Sequence, residues 1–174
     1  MPTGLIFLTQ MMLGYVAWLL CFWSYGLPRL RSMSRLRAHH AIASLHSFRF
    51  FGLVFLVPGV MGPDLPGGFA PAAAYGDLAT ALLAILVMAS VRLRPAFWTF
   101  VVAFNLVGTT DLLLDYWNAV RGGLPEHAGA LGAAYLIPTL YVPLLMITHG
   151  FALFELARSR SASARSIINR IPAG

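Results

Sequence analysis

The residue in this sequence that is best suited to a chemical role is an acid, Asp111, which lies inside an otherwise apolar stretch. Residues 95–120 read PAFWTFVVAFNLVGTTDLLLDYWNAV, and a helix of this length crosses a hydrocarbon core of about 30 Å. A carboxylate at that depth costs about 3 kcal/mol or more unless it is paired, hydrated or neutralised. Asp111 is therefore the first candidate for a functional residue.

The composition indicates a membrane protein. Of the 174 residues, 59% are hydrophobic and 10% are charged, whereas soluble domains carry about 25% charged residues. The mean hydropathy is +0.75. The apolar runs are continuous and lack the alternation of barrel strands, and each spanning segment must satisfy its own backbone hydrogen bonds. The sequence predicts a single all-α domain, a polytopic transmembrane helix bundle.

Five spans are predicted from the apolar runs and from the breaks between them. The breaks are clusters of arginine, as in residues 27–37, or of proline and glycine, as in residues 62–76. The second span is the least regular, because its apolar part is too short to cross. It either begins near Ala41, which we prefer, or is re-entrant. The predicted spans are residues 4–26, 41–61, 77–91, 95–120 and 130–156, followed by a basic tail at residues 157–174.

The arginines predict the orientation of these spans. Eleven of the twelve lie in residues 27–49, at residues 92–94 or in the tail, which five spans bring to one face. Basic residues mark the cytoplasmic side, so we expect the N-terminus outside and the C-terminus in the cytoplasm. Because the arginines are divided among short separate loops and the tail rather than grouped on the surface of one folded domain, no nucleic acid partner is expected. The expected partners are the lipid bilayer and a membrane protein complex or further copies of the chain.

This topology gathers acidic residues near the outer boundary. Asp77 opens the third span, where an acid can cap free amide groups. Asp111 lies sixteen residues after Pro95, about 24 Å along a helix, and Asp115 follows on the same face. The predicted outer cluster consists of Tyr75, Asp77, Asp111, Asp115 and Asn118, with His127 as a further candidate.

A second set of polar residues is predicted near the cytoplasmic side. His149 lies nineteen residues into the fifth span, and His46 and Arg49 enter the second span from that side. These three residues form the predicted inner cluster, with Glu155 further along the fifth span.

The outer cluster has three interpretations. Its acids are structural if they cap helices and bond neighbouring helices. They form a proton or cation site if several carboxylates share a partly dry environment. They are catalytic if Asp111 and Asp77 act together on a lipid-soluble substrate.

The histidines allow one cofactor hypothesis. Haem b between helices needs two inward-facing histidines at similar depth, which His149 with His40 or His46 would supply. The five histidines lack the paired spacings of membrane hydroxylases, and the single cysteine, Cys21, excludes a cysteine-based site. No metal site is therefore predicted. A phosphate-binding loop and a nucleophile elbow are also absent from the sequence.

Three short motifs are similar to those of small, uncharacterised bacterial polytopic membrane proteins. They are Tyr75-Gly76-Asp77, residues 105–112 (NLVGTTDL) and residues 137–149 (IPTLYVPLLMITH). The resemblance covers roughly residues 50–156. It implies a shared fold of about five spans and a bacterial inner-membrane location, and it implies no activity.

Together these features predict a multi-pass protein that binds a small lipophilic molecule or ion in an intramembrane polar pocket, either alone or as an accessory subunit of a larger membrane complex. The alternatives are a proton- or cation-coupled transporter or channel acting as an oligomer, a membrane-embedded enzyme, and a haem protein with His149 as ligand. The sequence favours a binding protein over an enzyme.

Overall fold

The computed structural model describes residues 1–63, 65 and 68–168, with side-chain surroundings described as far as residue 158. The described chain is a bundle of helices in which no strand occurs. Four of its helical stretches, Thr3–Ser32, Phe69–Ala89, Arg94–Arg121 and Ile137–Arg158, are long and apolar enough to cross a membrane. We number the helices α1 (Thr3–Ser32), α2 (Arg35–His46), α3 (Phe69–Ala89), α4 (Arg94–Arg121) and α5 (Val142–Ile168).

The first helix is longer than predicted, because it continues through the arginine-rich stretch that the sequence suggested was a loop. A wide π turn, Phe22–Gly26, lies just before Pro28. Such a turn relieves the clash between a proline ring and the carbonyl of the preceding turn. The chain breaks only at Met33, which is extended, and Ser34 then caps α2 by accepting a hydrogen bond from the backbone N–H of Arg37.

The predicted second span is not one continuous helix. Instead, α2 is followed by a 3-10 segment, Ser47–Leu56. Near the start of α2, the Arg35 guanidinium lies 5.1 Å from the centre of the Trp98 ring, close to the start of α4. Beyond the 3-10 segment, Gly62 donates a backbone hydrogen bond of 2.7 Å to Ala130. Together, α2 and the 3-10 segment therefore connect the two ends of the bundle.

The third helix begins at Phe69 rather than at Asp77, so the predicted proline- and glycine-rich loop is shorter than expected. Pro71 falls in the first turn of α3, where its missing N–H would have no helical partner in any case. Gly68, with φ of 85°, supplies the left-handed residue before the helix. As a consequence, Asp77 lies inside α3 and does not cap it.

The fifth predicted span also begins later than expected. Residues Ala128–Tyr135 form a 3-10 segment that breaks at Gly132, where φ is 53°. A π turn, Ile137–Tyr141, then accommodates Pro138 and leads into α5. The helix continues to Ile168, so the start of the predicted tail is helical. Residues 169–174 lie outside the described residues.

Two apolar clusters occupy the two ends of the bundle. One contains Phe7, Phe55 and Leu124, and the other contains Ile42 and Phe97. Between these two clusters lie buried polar side chains, which come from α2, the 3-10 segment, α3 and α4. These are His46, Arg49, Asp77, Thr80 and Asn105. The fold therefore places a polar layer between two apolar ones.

Candidate functional site

The centre of the polar layer is the guanidinium of Arg49. Its Nε donates to Oδ1 of Asp77 at 2.6 Å, and its Nη2 donates to Oδ2 of Asp111 at 2.5 Å. Its Nη1 donates to the carbonyl oxygen of Gly108 at 3.3 Å. The Arg49 side chain is fully buried, and those of Asp77 and Asp111 are 9% and 11% exposed. One cation thus joins the 3-10 segment, α3 and α4.

This arrangement does not keep the two predicted clusters apart. The sequence assigned Arg49 to an inner cluster and Asp77 and Asp111 to an outer one, but Arg49 is in direct contact with both acids. The reason is that α2 begins at Arg35, six residues before the predicted start of the second span, so Arg49 lies fourteen residues along this segment rather than near its inner end.

Three glycines make room for the polar side chains. A Cβ on Gly52 would collide with the Asp77 side chain, and a Cβ on Gly76 would collide with the Asp111 carboxylate. A Cβ on Gly108 would lie 2.5 Å from Nε2 of His149. Each glycine belongs to a different element, so the 3-10 segment, α3 and α4 can approach one another only where these residues have no side chain.

The two buried histidines lie beside this ion-pair network, and their tautomers follow from their partners. The Asn105 side-chain amide donates to the Val101 carbonyl, so its oxygen accepts from Nδ1 of His149 at 3.0 Å. Thr148 donates its hydroxyl proton to the Leu144 carbonyl, so it accepts from Nε2 of His46 at 2.9 Å. Nε2 of His149 and Nδ1 of His46 have no hydrogen-bond partner and, in neutral rings, carry no proton.

The geometry of the histidine pair does not suit the haem hypothesis. The ring centres of His46 and His149 are 4.1 Å apart, and Phe104 packs against both rings at 5.0 Å. A porphyrin held by two axial histidines lies between their rings, and here the rings are already in contact.

Asp115 lies one helical turn beyond Asp111 and faces a small cavity. The cavity has a volume of about 50 Å³ and is lined by Asp77, Asp115 and Tyr116 together with apolar side chains such as Phe55. The Tyr116 hydroxyl shares a hydrogen bond of 2.7 Å with that of Tyr15. Within the described part of the chain, the Asp115 carboxylate has no hydrogen-bond or ion-pair partner.

Several predicted site residues lie outside this network. Tyr75 is 62% exposed on the surface of α3, and Asn118 is exposed on α4. His127 is exposed and donates to the Gly123 carbonyl in its own turn. Glu155 lines a different cavity, at the arginine-rich end of the bundle.

The sequence-based search missed Asn105 as a site residue, although it is a polar residue in an apolar run and opens one of the motifs. It also missed Gly52 and Gly108, because a glycine that faces a side chain on another element has no local signal. Among the described residues, no group of three or more histidine, cysteine, aspartate or glutamate side chains is arranged to hold a metal ion.

A family model described as a domain of unknown function, DUF8737, matches residues 6–157. No curated protein and no solved structure matches the chain.

Proposed function

We propose that this chain, which belongs to the family of the domain of unknown function DUF8737, is a multi-pass membrane protein that binds protons at a buried site. The site consists of Arg49, Asp77, Asp111 and Asp115. This role is the ion-binding version of the function that the sequence predicts.

The observation that carries the proposal is an imbalance of charge. Three carboxylates, those of Asp77, Asp111 and Asp115, share one buried cation, Arg49. With all four groups ionised, the site would hold two negative charges in excess. Such an excess is costly in a medium of low polarity, and carboxylates in this position take up protons instead. Asp115, which lacks a partner, is the first candidate to be protonated.

The cavity beside Asp115 supports exchange of these protons. A volume of about 50 Å³ has room for a few water molecules, and carboxylate and hydroxyl groups on its wall can bind them. Phe7 and Leu124 also line it, and both belong to the apolar cluster at the end of the bundle that holds the start of α1. The cavity therefore lies towards that end of the bundle, and we propose that protons enter from there.

We further propose that the end of α2 and the 3-10 segment together form a fifth membrane-spanning segment. From Ala41 to Leu56 the chain has six α-helical residues and ten in the 3-10 segment, which together span about 29 Å at 1.5 and 2.0 Å per residue. This matches a hydrocarbon core of about 30 Å. With the arginine-rich end in the cytoplasm, the N-terminus is outside, and the resemblance noted above favours a bacterial inner membrane.

A second candidate function is proton transfer through the bundle. It is favoured by the continuity between the two groups of polar residues, since Gly108 contacts both the Arg49 guanidinium and the His149 ring. His46 and His149 each offer an unpaired ring nitrogen on the cytoplasmic side of Arg49. A membrane-embedded enzyme is less well supported, because Arg49 already engages both acids that would have to be catalytic.

The test is infrared difference spectroscopy on the full chain reconstituted in lipid, stepped from mildly basic to mildly acidic pH. We expect a band of a protonated carboxyl group that Asp115→Asn removes. The matched control is Glu126→Gln, which changes an exposed acid in the turn after α4 and should leave the band in place. Absence of any such band, or its survival in Asp115→Asn, would contradict the proposal. Proton flux into the same vesicles tests the second candidate.

A further inference from the structure

A second cavity lies at the arginine-rich end of the bundle, away from the Arg49 site. It has a volume of about 380 Å³ and is formed by the end of α1, the start of α2 and the cytoplasmic part of α5. Its charged and titratable lining residues are Arg31, Arg35, His39, Glu155 and Arg158. We call this cavity the arginine pocket.

The arginine pocket is strongly electropositive. Arg31, Arg35 and Arg158 form no ion pair with any described residue, and Glu155 is the one acid among the described residues that line the pocket. The Arg35 guanidinium is held over the Trp98 ring at 5.1 Å. Helix α2 begins at Arg35 and has 12 residues, so the positive end of its dipole adds to the charge of the arginines.

A buried histidine in the pocket lacks a partner. His39 is only 3% exposed, and its ring meets Trp98 edge-on with ring centres 5.4 Å apart. Its Nδ1 atom has no hydrogen-bond partner, and the side chain forms no hydrogen bond with the described residues. A polar group that is buried without a partner costs free energy, so its position in a concave, basic pocket points to a ligand that supplies one.

We propose that the arginine pocket binds a phosphate-bearing anion. Guanidinium groups match phosphate oxygens in pairs, and Arg31, Arg35 and Arg158 come from three different helices around one space. Leu30 and Phe151 add an apolar wall that suits the carbon part of a small phosphate ester. The ligand is either the headgroup of an anionic lipid in the adjacent leaflet or a soluble phosphate compound. This site is separate from the proton site and does not depend on it.

The experiment uses the full chain in mild detergent, with thermal unfolding and native mass spectrometry as readouts. The probes are inorganic phosphate, phosphatidylglycerol and, as a zwitterionic control, phosphatidylcholine. The pocket variants are Arg35→Gln and Arg31→Gln. The matched control is Arg37→Gln, which removes the same charge from an exposed position on α2 that does not line the pocket.

We expect the wild type to be stabilised by phosphatidylglycerol or by inorganic phosphate and much less by phosphatidylcholine. Each pocket variant should weaken this binding by about tenfold or more, as loss of one charge-assisted contact predicts, and Arg37→Gln should not. A response to the lipid alone identifies a headgroup site, and a response to inorganic phosphate identifies a soluble ligand. Equal loss in Arg37→Gln, or no response to either probe, would overturn the proposal. Arg31 is exposed, so Arg31→Gln keeps the test valid if Arg35→Gln does not fold.

Discussion

Nη2 of Arg49 lies 2.5 Å from Oδ2 of Asp111, and these residues are 62 positions apart in the chain. The same guanidinium bonds Asp77 through Nε. Because guanidinium donors point in fixed directions, one arginine can serve two acids on neighbouring helices. The packing of the 3-10 segment against α3 and α4 therefore depends on one buried side chain.

The first prediction concerns the charge of Arg49. Arg49→Gln should destabilise the folded bundle by about 3–5 kcal/mol, because it leaves Asp77 and Asp111 buried without a cation. Arg49→Lys should recover only part of this loss, since an ammonium group cannot reproduce the two-sided contact. Chemical unfolding in detergent measures the difference.

The control for this prediction is Arg92→Gln, which removes an exposed arginine from the turn before α4 and should change the free energy of unfolding little. Adding Asp77→Asn to Arg49→Gln should restore part of the lost stability, because one of the two uncompensated charges is removed. If the double variant were less stable than Arg49→Gln, Arg49 would not be acting through its charge.

The second prediction concerns the glycines that face acids. Gly76→Ala and Gly52→Ala should each destabilise the protein by about 1–3 kcal/mol through overpacking, because the added Cβ collides with the side chain of Asp111 or Asp77. Gly150→Ala is the matched control, since a Cβ on this helical glycine meets nothing within 4 Å. It should be neutral or slightly stabilising. Similar effects of all three changes would indicate loss of glycine flexibility rather than collision.

The third prediction concerns the tautomers of the buried histidines. Nitrogen-15 NMR at neutral pH should show His149 protonated at Nδ1 and His46 protonated at Nε2, because Asn105 and Thr148 each present an acceptor to those atoms. In Asn105→Leu, His149 should no longer favour the Nδ1–H tautomer, whereas the tautomer of His46 should stay unchanged. An Nε2–H tautomer of His149 in the wild type would contradict the assigned hydrogen bonds.

The fourth prediction concerns pH. Burial, and next the charge of Arg35, lower the pKa of His39 from 6.5 to about 4. The unfolded chain then binds a proton at this residue that the folded chain does not, so the contribution of His39 to stability is present above pH 6.5 and is lost as the pH falls towards 4. The charged groups around it are Arg31, Arg35, Glu155 and Arg158.

Measuring the free energy of unfolding against pH for the wild type and for His39→Gln isolates this contribution, because other titrating groups are common to both proteins. As the pH falls from 6.5 to about 4, the free energy of unfolding of the wild type should decrease more than that of the variant. Parallel curves would mean that His39 titrates normally in the folded protein.

The sequence by itself determined that the chain is helical and apolar enough for a membrane, because length and hydropathy of a segment are local properties. It also selected Asp77, Asp111, Asp115, Arg49, His46 and His149, since polar residues in apolar runs stand out. The helix starts predicted at Asp77 and Ala130 were less accurate. Pro71 lies in the first turn of α3 and Pro138 in the π turn before α5, and composition does not distinguish such prolines from those of loops.

Only the tertiary structure decided how the selected residues combine. The sequence predicts a second span that begins near Ala41 and so places Arg49 near its inner end, whereas α2 begins at Arg35 and brings Arg49 into contact with both acids. The approach also requires Gly52, Gly76 and Gly108 at the contacts between elements. Such pairings depend on where one helix begins and on the missing side chains of its neighbours, and no local pattern in the sequence encodes that combination.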